Sequence, residues 1–251
     1  MLHVETVGLG TPVVLLHSSG LSSRQFTRLG AAIAAQGKQA VLVDLTGHGK
    51  SPPLPEGEPM TWRDDVARVV ELLRVPSVLV GHSYGGLVAL HAALVAPDRV
   101  QGLILYDPVA FGILDEGDRD VAVTLDAIDL HGGATPETRD AWLEAFVDYW
   151  SGPGAWGGLR ESARAEFRRV GWAVREGVRT LMGDLTKAAA YRALPPLHLI
   201  TGEHTPVAAR RVVDKLAAAT GADVSELPGA GHMGPLTHAD QFSARVLELL
   251  Q

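Results

Sequence analysis

The sequence predicts an α/β protein: a doubly wound, mostly parallel sheet with an inserted helical cap. Short apolar runs rich in Val, Ile and Leu alternate along the chain with longer amphipathic stretches. Continuous apolar runs are typical of parallel strands that helices cover on both faces. Between residues 111 and 193 no convincing strand occurs and helical patterns follow one another. This interruption predicts a cap inserted between two strands.

The predicted strands and helices take turns along the chain. The strands are Pro12–Leu16, Gln39–Leu45, Ser77–Gly81, Gly102–Tyr106, Leu197–Thr201 and Asp223–Leu227. The helices that cover them are Ser23–Gln36, Thr61–Arg74, Tyr84–Ala96, Pro206–Thr220 and Thr237–Leu250. The first five strands each end at a turn signal. We therefore expect residues 1–110 and 194–251 to form the sheet domain.

The cap, residues 111–193, is predicted to contain four helices with a Gly-rich piece at residues 151–158. These helices are Asp115–His131, Pro136–Trp150, Arg160–Val170 and Trp172–Met182. The cap also holds four of the five tryptophans of the chain. We predict that Trp142, Trp150 and Trp156 line an apolar substrate pocket. The other interpretation is that the tryptophans only hold the helical subdomain together.

Composition narrows the classes of function. The 251 residues include 46% hydrophobic and 20% charged residues, and the formal net charge is −7. No basic run stands out, so nucleic acid is not an expected partner. Without cysteine the chain has no disulfide and no thiolate nucleophile. Because the apolar runs are too short to span a bilayer and Met1–Gly10 lacks a signal-peptide pattern, we expect a cytoplasmic protein with no membrane partner. The composition is also compatible with a homo-oligomer.

Motifs for cofactors are incomplete. Gly49-Lys50-Ser51 resembles the end of a P-loop, but Asp44 stands where that pattern needs a glycine. No G-x-G-x-x-G follows a predicted strand, and no H-E-x-x-H pattern occurs. We therefore expect no nucleotide, no catalytic metal and no other cofactor.

The pentapeptide Gly81-His82-Ser83-Tyr84-Gly85 carries the strongest functional pattern. In G-x-S-x-G the serine occupies a sharp turn between a strand and a helix, and the glycines let neighbouring backbone approach. Here the buried strand Val78–Val80 precedes the turn, and the helical pattern Leu87–Ala96 follows it. The helix N-terminus would direct free N–H groups at developing negative charge. We interpret Ser83 as a nucleophile, and strand alternation predicts that His82 points away from it.

Four motifs, taken in order, resemble those of the α/β-hydrolase superfamily. Leu15–Gly20 resembles the H-G-x-G oxyanion segment, and Asp44–Ser51 resembles the D-x-x-G-x-G-x-S turn. Gly81–Gly85 is similar to the nucleophile elbow, and Gly229–His232 is similar to the G-x-G-H loop that carries the catalytic histidine. The resemblance implies that Ser83 attacks and that His232 is its base, in the superfamily's order of serine, acid and histidine.

The oxyanion segment departs from the pattern because Ser18 replaces the usual glycine. The resemblance implies that the backbone N–H groups of Ser19 and Tyr84 form the oxyanion hole, which a side-chain hydroxyl at residue 18 does not remove. His17 and His48 belong to the two Gly-rich turns, and we expect them to support these turns by hydrogen bonds.

The acid of the triad departs further from the pattern. After the strand that ends at Thr201 the superfamily usually carries G-x-x-D, but this chain has Thr205 at the aspartate position. Asp107 is our first choice, because it ends a strand beside the nucleophile strand and resembles the acid of some haloalkane dehalogenases. Glu203 is the alternative, close to the usual place. A third interpretation is a Ser–His dyad without an acid.

The function that follows from this resemblance is that of a serine hydrolase of the carboxylesterase type. Its expected substrate is a small, mostly apolar ester, lactone or thioester held under the cap. Carbon–carbon bond hydrolases, perhydrolases and lyases use similar motifs, so the substrate class depends on cap and pocket. A different class of function is also open, a non-catalytic small-molecule-binding protein with the same fold.

Overall fold

The computed structural model describes residues 1–125 and 132–251, which include a sheet of seven strands. The strands are β1 (His3–Val7), β2 (Pro12–Leu16), β3 (Gln39–Asp44), β4 (Ser77–His82), β5 (Val100–Tyr106), β6 (Leu197–Gly202) and β7 (Asp223–Leu227). The six predicted strands are confirmed, with ends that differ by at most two residues. The prediction missed β1, whose HVETV sequence alternates and is partly exposed because it forms an edge of the sheet.

Eleven α-helices occur in the described residues. They are α1 (Thr27–Ala35), α2 (Trp62–Leu72), α3 (Tyr84–Val95), α4 (Arg119–Leu125), α5 (Pro136–Ser151), α6 (Ala155–Gly158), α7 (Glu161–Leu181), α8 (Ala188–Tyr191), α9 (Val207–Thr220), α10 (Gly234–Thr237) and α11 (Ala239–Leu249). Short 3-10 turns lie at Ser23–Phe26, Pro97–Arg99, Phe111–Ile113 and Glu116–Asp118.

The strand order is β1-β3-β2-β4-β5-β6-β7, with β1 antiparallel to β3 and all other pairs parallel. The order reverses at β2, which lies between β3 and β4. In open parallel sheets, ligands bind beyond the carboxyl ends of the strands at such a reversal. The loops after β2 and β4 carry the predicted oxyanion segment and the predicted nucleophile.

Both faces of the sheet are covered. On one face, Leu29 and Ile33 of α1 and Phe242 of α11 belong to a buried cluster with Val13 and Leu15 of β2. On the other face, α2, α3 and α9 join a larger cluster that continues into the residues between β5 and β6. Burial on both sides explains why the strands are continuous apolar runs, and it confirms the predicted doubly wound fold.

The segment between β5 and β6 is helical in its described part, as predicted, but two details differ. The predicted helix Asp115–His131 is described only as far as Leu125, and residues 126–131 lie outside the described residues. The predicted division into Arg160–Val170 and Trp172–Met182 is wrong, because α7 runs unbroken through Gly171. A Cβ atom at Gly171 would lie 2.9 Å from Cδ of Arg139. Glycine here permits close packing of α5 on α7 and does not end the helix.

Candidate active site

Ser83 lies on a sharp turn between β4 and α3. Its backbone has φ 54° and ψ −115°, a conformation that side chains other than glycine rarely adopt. Its N–H donates to the carbonyl oxygen of Tyr106 at 2.9 Å, and its own carbonyl oxygen accepts from Gly86 N–H, also at 2.9 Å. Gly85 is required in this turn because a Cβ atom there would lie 2.1 Å from the carbonyl oxygen of Leu16. The turn thus has the strand, strain and close approach that the G-x-S-x-G pattern predicts.

Asp107 follows β5 as Ser83 follows β4. The two strands pair in parallel with His82 opposite Tyr106, so the next residue of each strand emerges at the same edge of the sheet. Ser83 and Asp107 are also the two non-glycine residues with positive φ in the described parts of the chain. Backbone strain of this kind costs about 1–3 kcal/mol per residue and is concentrated at functional sites.

His232 lies between these two residues, in the loop that joins β7 to α10. Its Nε2 is 3.0 Å from Oγ of Ser83, and its Nδ1 is 3.2 Å from Oδ2 of Asp107. All three side chains are buried. The aspartate fixes the tautomer, because an ionised carboxylate can only accept and so requires the ring proton on Nδ1. Nε2 is then free to accept the proton of the serine hydroxyl.

Thr205 also contacts the carboxylate, which the sequence did not predict. Its hydroxyl donates to Oδ2 of Asp107 at 2.7 Å. The same hydroxyl oxygen accepts from the backbone N–H of Gly202 at 3.0 Å, which leaves its single proton for the aspartate. The signal for this contact was its position in the sequence, since Thr205 stands where related chains carry the acid.

Glu203, the alternative acid, does not contact His232. Its side chain is exposed, and its Oε2 accepts from the backbone N–H of Gly229 at 2.8 Å. Of the two carboxylates considered, the structure therefore brings only Asp107 to the histidine ring.

The two residues predicted to donate to the oxyanion are both neighbours of Ser83, Tyr84 in sequence and Ser19 across a shared cavity. Tyr84 is the first residue of α3, where the backbone N–H has no acceptor within the helix. Ser19 lines a cavity together with Ser83. Within the described parts of the chain, neither N–H donates to a protein acceptor. The Tyr84 side chain turns away and donates to Asp65 at 2.9 Å.

His17 and His48 support the oxyanion segment, as predicted. Nδ1 of His17 donates to the carbonyl oxygen of Ser18, and its Nε2 accepts from Leu45 N–H at 3.0 Å. Nε2 of His48 accepts from Gly20 N–H at 3.1 Å. Burial, and to a lesser extent the neighbouring His48, lowers the pKa of His17 to about 3. Burial also lowers the pKa of His48, so both rings are neutral acceptors at neutral pH.

Two apolar cavities meet at Ser83. The inner one has a volume of about 20 Å³ and is lined by side chains such as Phe111, Leu181 and Met182. The outer one has a volume of about 140 Å³ and includes His232, Leu159 and Leu236. Both share Phe146 and Trp150 of α5, and His232 is the only ionisable side chain among the described residues that line them. A larger groove of about 1040 Å³, lined mostly by polar and charged residues, contains neither Ser83 nor His232.

Of the three tryptophans predicted to line the pocket, Trp150 does so. It borders both cavities, and its ring centroid lies 4.2 Å from that of His232. Trp142 and Trp156 are not among the lining residues, which corrects their predicted place. Trp142 stacks on Phe146 at 5.5 Å, and Trp156 meets Phe167 edge-on at 6.0 Å. They lie one layer behind the cavity wall because Phe146 and Phe167 occupy the wall itself.

Residues 1–125 and 132–251 contain neither a candidate metal site nor a candidate membrane span. There, no group of three or more His, Cys, Asp or Glu side chains could hold a metal ion. No helix in the same parts of the chain is long and apolar enough to cross a membrane.

Comparison with known proteins decides the family. The model of the alpha/beta hydrolase family matches residues 13–245 of the chain. The chain belongs to this family. The predicted family and fold are therefore confirmed, and the order of strands and loops described above is that of an α/β-hydrolase.

Relatives of this α/β-hydrolase include esterases. A pimeloyl-acyl-carrier protein methyl ester esterase of Chromobacterium violaceum is 43% identical over 41% of this chain, and the match spans 39% of that relative's length. An esterase of the same name from Nitrosospira multiformis is 28% identical over 98% of this chain and 97% of the relative. A thermophilic esterase from Thermogutta terrifontis has the same fold, with a TM-score of 0.74 and 21% identity over 99% of this chain and 92% of that one.

Proposed function

We propose that the chain is a serine hydrolase of carboxylate esters, with Ser83 as nucleophile, His232 as base and Asp107 as the acid of the triad. The observation that carries this proposal is the continuous contact from Ser83 Oγ to His232 Nε2 at 3.0 Å and from His232 Nδ1 to Asp107 Oδ2 at 3.2 Å. This chain of contacts is buried beside two apolar cavities, where fixed hydrogen-bond donors stabilise developing charge more strongly than they would in water.

Acylation begins when Ser83 Oγ attacks the carbonyl carbon of the ester. A bond forms from Oγ to carbon while the hydroxyl proton moves to Nε2 of His232, and the carbonyl π pair becomes an oxyanion. The N–H groups of Ser19 and Tyr84 bind that oxygen, and Asp107 stabilises the imidazolium. The tetrahedral intermediate then releases the alcohol, which takes the proton from Nε2, and an acyl-serine remains.

Deacylation repeats these steps with water. Nε2 of His232 removes a proton from the water as its oxygen attacks the acyl carbon, and the same two N–H groups bind the new oxyanion. When this intermediate collapses, the bond from carbon to Oγ breaks and Ser83 recovers its proton from Nε2. The products are one carboxylic acid and one alcohol, and the enzyme is unchanged.

The cavities indicate a substrate with one small side. The inner cavity, at about 20 Å³, has room for a group about the size of one water molecule. His232 borders only the outer cavity, so the leaving group that it must protonate belongs there. We infer that the acyl group is short and enters the inner cavity, and that the alcohol, thiol or lactone portion occupies the outer, larger cavity. Both groups are uncharged and mostly apolar.

A second orientation is favoured by the relatives named as methyl ester esterases. In that orientation the small group is the methyl of a methyl ester, and a longer acyl chain occupies the outer cavity. The two orientations predict opposite series. Rates would fall with acyl length in the first orientation and with alcohol length in the second.

Two series of esters test the function and the orientation together. One is p-nitrophenyl acetate, butyrate and octanoate, and the other is the methyl, ethyl and butyl esters of one acid. Ser83→Ala should lower kcat on the best ester by at least roughly a thousandfold. Ser77→Ala is the matched control, because Ser77 is also a buried serine, lies at the start of the strand that leads to Ser83, and donates its side-chain hydroxyl to the carbonyl oxygen of Val75. Turnover that survives in Ser83→Ala would overturn the proposal, and a protein that binds but never cleaves would be a ligand-binding member of the family.

A further inference from the structure

His82 precedes the proposed nucleophile and makes two hydrogen bonds that the proposed mechanism does not use. Its side chain is completely buried. Nε2 lies 2.8 Å from the carbonyl oxygen of His232, and Nδ1 lies 2.9 Å from Nε2 of Gln25. Gln25 in turn accepts from the backbone N–H of Ser18 at 3.2 Å. A line of hydrogen bonds thus joins the oxyanion segment to the loop of the proposed base.

Each hydrogen bond in this line determines which group is the donor and which the acceptor in the next one. A backbone N–H can only donate, so Oε1 of Gln25 faces Ser18 and its amide nitrogen must donate to His82. Nδ1 of His82 is therefore an acceptor, and a neutral ring carries its proton on Nε2. That proton is donated to the carbonyl oxygen of His232, which can only accept. This line of hydrogen bonds, which we call the relay, begins at the backbone N–H of Ser18 and ends at the backbone carbonyl of His232. A doubly protonated His82 does not fit it.

We propose that His82 is a positioning residue, which holds the loop of His232 in place through this relay from Ser18 and Gln25. The proposal rests on the function proposed above. Because Ser18 adjoins the oxyanion donor Ser19, the relay ties the base and the oxyanion segment to the strand that carries the nucleophile.

The surroundings of His82 agree with a neutral ring. Burial, and next the proximity of His232, lowers the pKa of His82 well below its ordinary value. The rings of His232 and Tyr106 lie 5.2 Å and 5.6 Å from the His82 ring. His17 is a further ionisable neighbour, and it also disfavours charge on His82.

Tyr106 makes the corresponding bond from the next strand. It stands opposite His82 in the register of β4 and β5, and its hydroxyl donates to the carbonyl oxygen of Gly231 at 2.6 Å. Consecutive carbonyl groups of the histidine loop are therefore bound by the residues that precede Ser83 and Asp107. This arrangement sets the loop against the same two strands that present the nucleophile and the acid.

Kinetics on the best ester supply the first test. His82→Met removes both hydrogen bonds and should lower kcat roughly ten- to hundredfold while KM stays within about twofold, because placement of the base is lost and binding is not. His82→Gln, which keeps an acceptor and a donor, should recover at least about fivefold of that loss. His91→Met is the matched control, a buried histidine on α3 outside the cavities, and its kcat should stay within about twofold of wild type.

A second readout does not depend on turnover. In ¹⁵N-histidine-labelled protein, His82 should show a proton on Nε2, a bare Nδ1 and no titration between about pH 5 and pH 8. The ring signals of His232 should be sharp in wild type and broadened or shifted in His82→Met. Three results would overturn the proposal. They are titration of His82 near its ordinary pKa, a proton on Nδ1 of His82, and a His82→Met variant with no change in kcat or in the His232 signals. Failure of wild type to cleave any ester would instead count against the proposed function, and the spectra would still decide the role of His82.

Discussion

Thr205 donates its hydroxyl proton to Oδ2 of Asp107 at 2.7 Å, and the same carboxylate oxygen lies 3.2 Å from Nδ1 of His232. Thr205, at the position where the superfamily usually carries its acid, is therefore in contact with the carboxylate that we propose as the acid, although its own side chain has no charge. Asp107 reaches this place from the end of β5, and Thr205 reaches it from the loop after β6. The two loops lie side by side because β5 and β6 pair directly.

The acid is tested by comparing Asp107→Asn with Glu203→Gln on one activated ester at neutral pH. In a serine protease, replacing the triad aspartate by asparagine costs about ten-thousandfold in kcat, since the histidine tautomer is wrong. We expect Asp107→Asn to lose at least roughly a hundredfold and Glu203→Gln to lose only a few-fold. Circular dichroism controls for folding. The opposite ranking would assign the acid to Glu203, and wild-type rates in both variants would favour a Ser–His dyad.

The hydroxyl of Thr205 gives a second prediction. Thr205→Val keeps the shape of the side chain but removes a hydrogen bond to a charged group, which is worth about 1.5–3 kcal/mol. We expect kcat/KM to fall roughly tenfold in Thr205→Val and to stay within about threefold of wild type in Thr205→Ser, which keeps the hydroxyl. Equal rates in the two variants would show that the hydroxyl does not orient Asp107.

Variants of Trp150 and Trp142 distinguish a tryptophan that lines the cavities from one that supports the cavity wall. Trp150→Ala opens the wall of both cavities, so we expect longer ester chains to gain relative to acetate. Trp142→Ala removes a buried ring behind that wall, and its main effect should be a loss of about 3–5 kcal/mol in the free energy of unfolding. The measurements are the ester series and chemical denaturation. If Trp142→Ala changed the ester preference and Trp150→Ala did not, the assignment of Trp150 as the tryptophan that lines the cavities would be wrong.

Much of the site could be predicted because local sequence determines it. The strand ends that carry Ser83 and Asp107 follow apolar runs, and the glycine pattern of the elbow leaves few other conformations. The contacts of Thr205, His82 and Gln25 could not be predicted, because each joins segments that are far apart in sequence. Thr205 lies 98 residues from Asp107, and Gln25 lies 57 residues from His82.

Two features of the fold were predicted wrongly because tertiary structure determines them. Strand β1 pairs only at the sheet edge, so its half-exposed sequence lacks the apolar run that identified the other strands. Gly171 has a poor intrinsic preference for helix, yet α7 continues through it because tertiary packing on Arg139 outweighs that preference.

Because His17 and His48 are buried and neutral, we predict that acid destabilises the fold. The pKa of His17 is lowered from 6.5 to about 3, and the pKa of His48 is also lowered. Below pH 6.5 the unfolded state binds protons that the folded state does not, so stability is complete above the unfolded pKa and is lost as pH falls toward the folded pKa. Each such histidine contributes a slope of up to about 1.4 kcal/mol per pH unit in that window.

Urea denaturation from about pH 7 to pH 5 measures this slope. His17→Gln should be less stable at neutral pH but should lose less stability on acidification than wild type. The exposed His204→Gln should keep the wild-type slope. A wild-type unfolding free energy that does not change across this range would contradict the assignment of His17 and His48 as buried neutral rings.

The nucleophile is the central claim, and covalent labelling tests it most directly. Wild-type protein is treated with a fluorophosphonate probe, digested, and the modified residue is located by mass spectrometry. We predict a single adduct on Ser83, absent in Ser83→Ala and retained in Ser77→Ala. An adduct on any other residue, or no adduct on a folded wild-type protein, would contradict the assignment of Ser83 as an activated nucleophile.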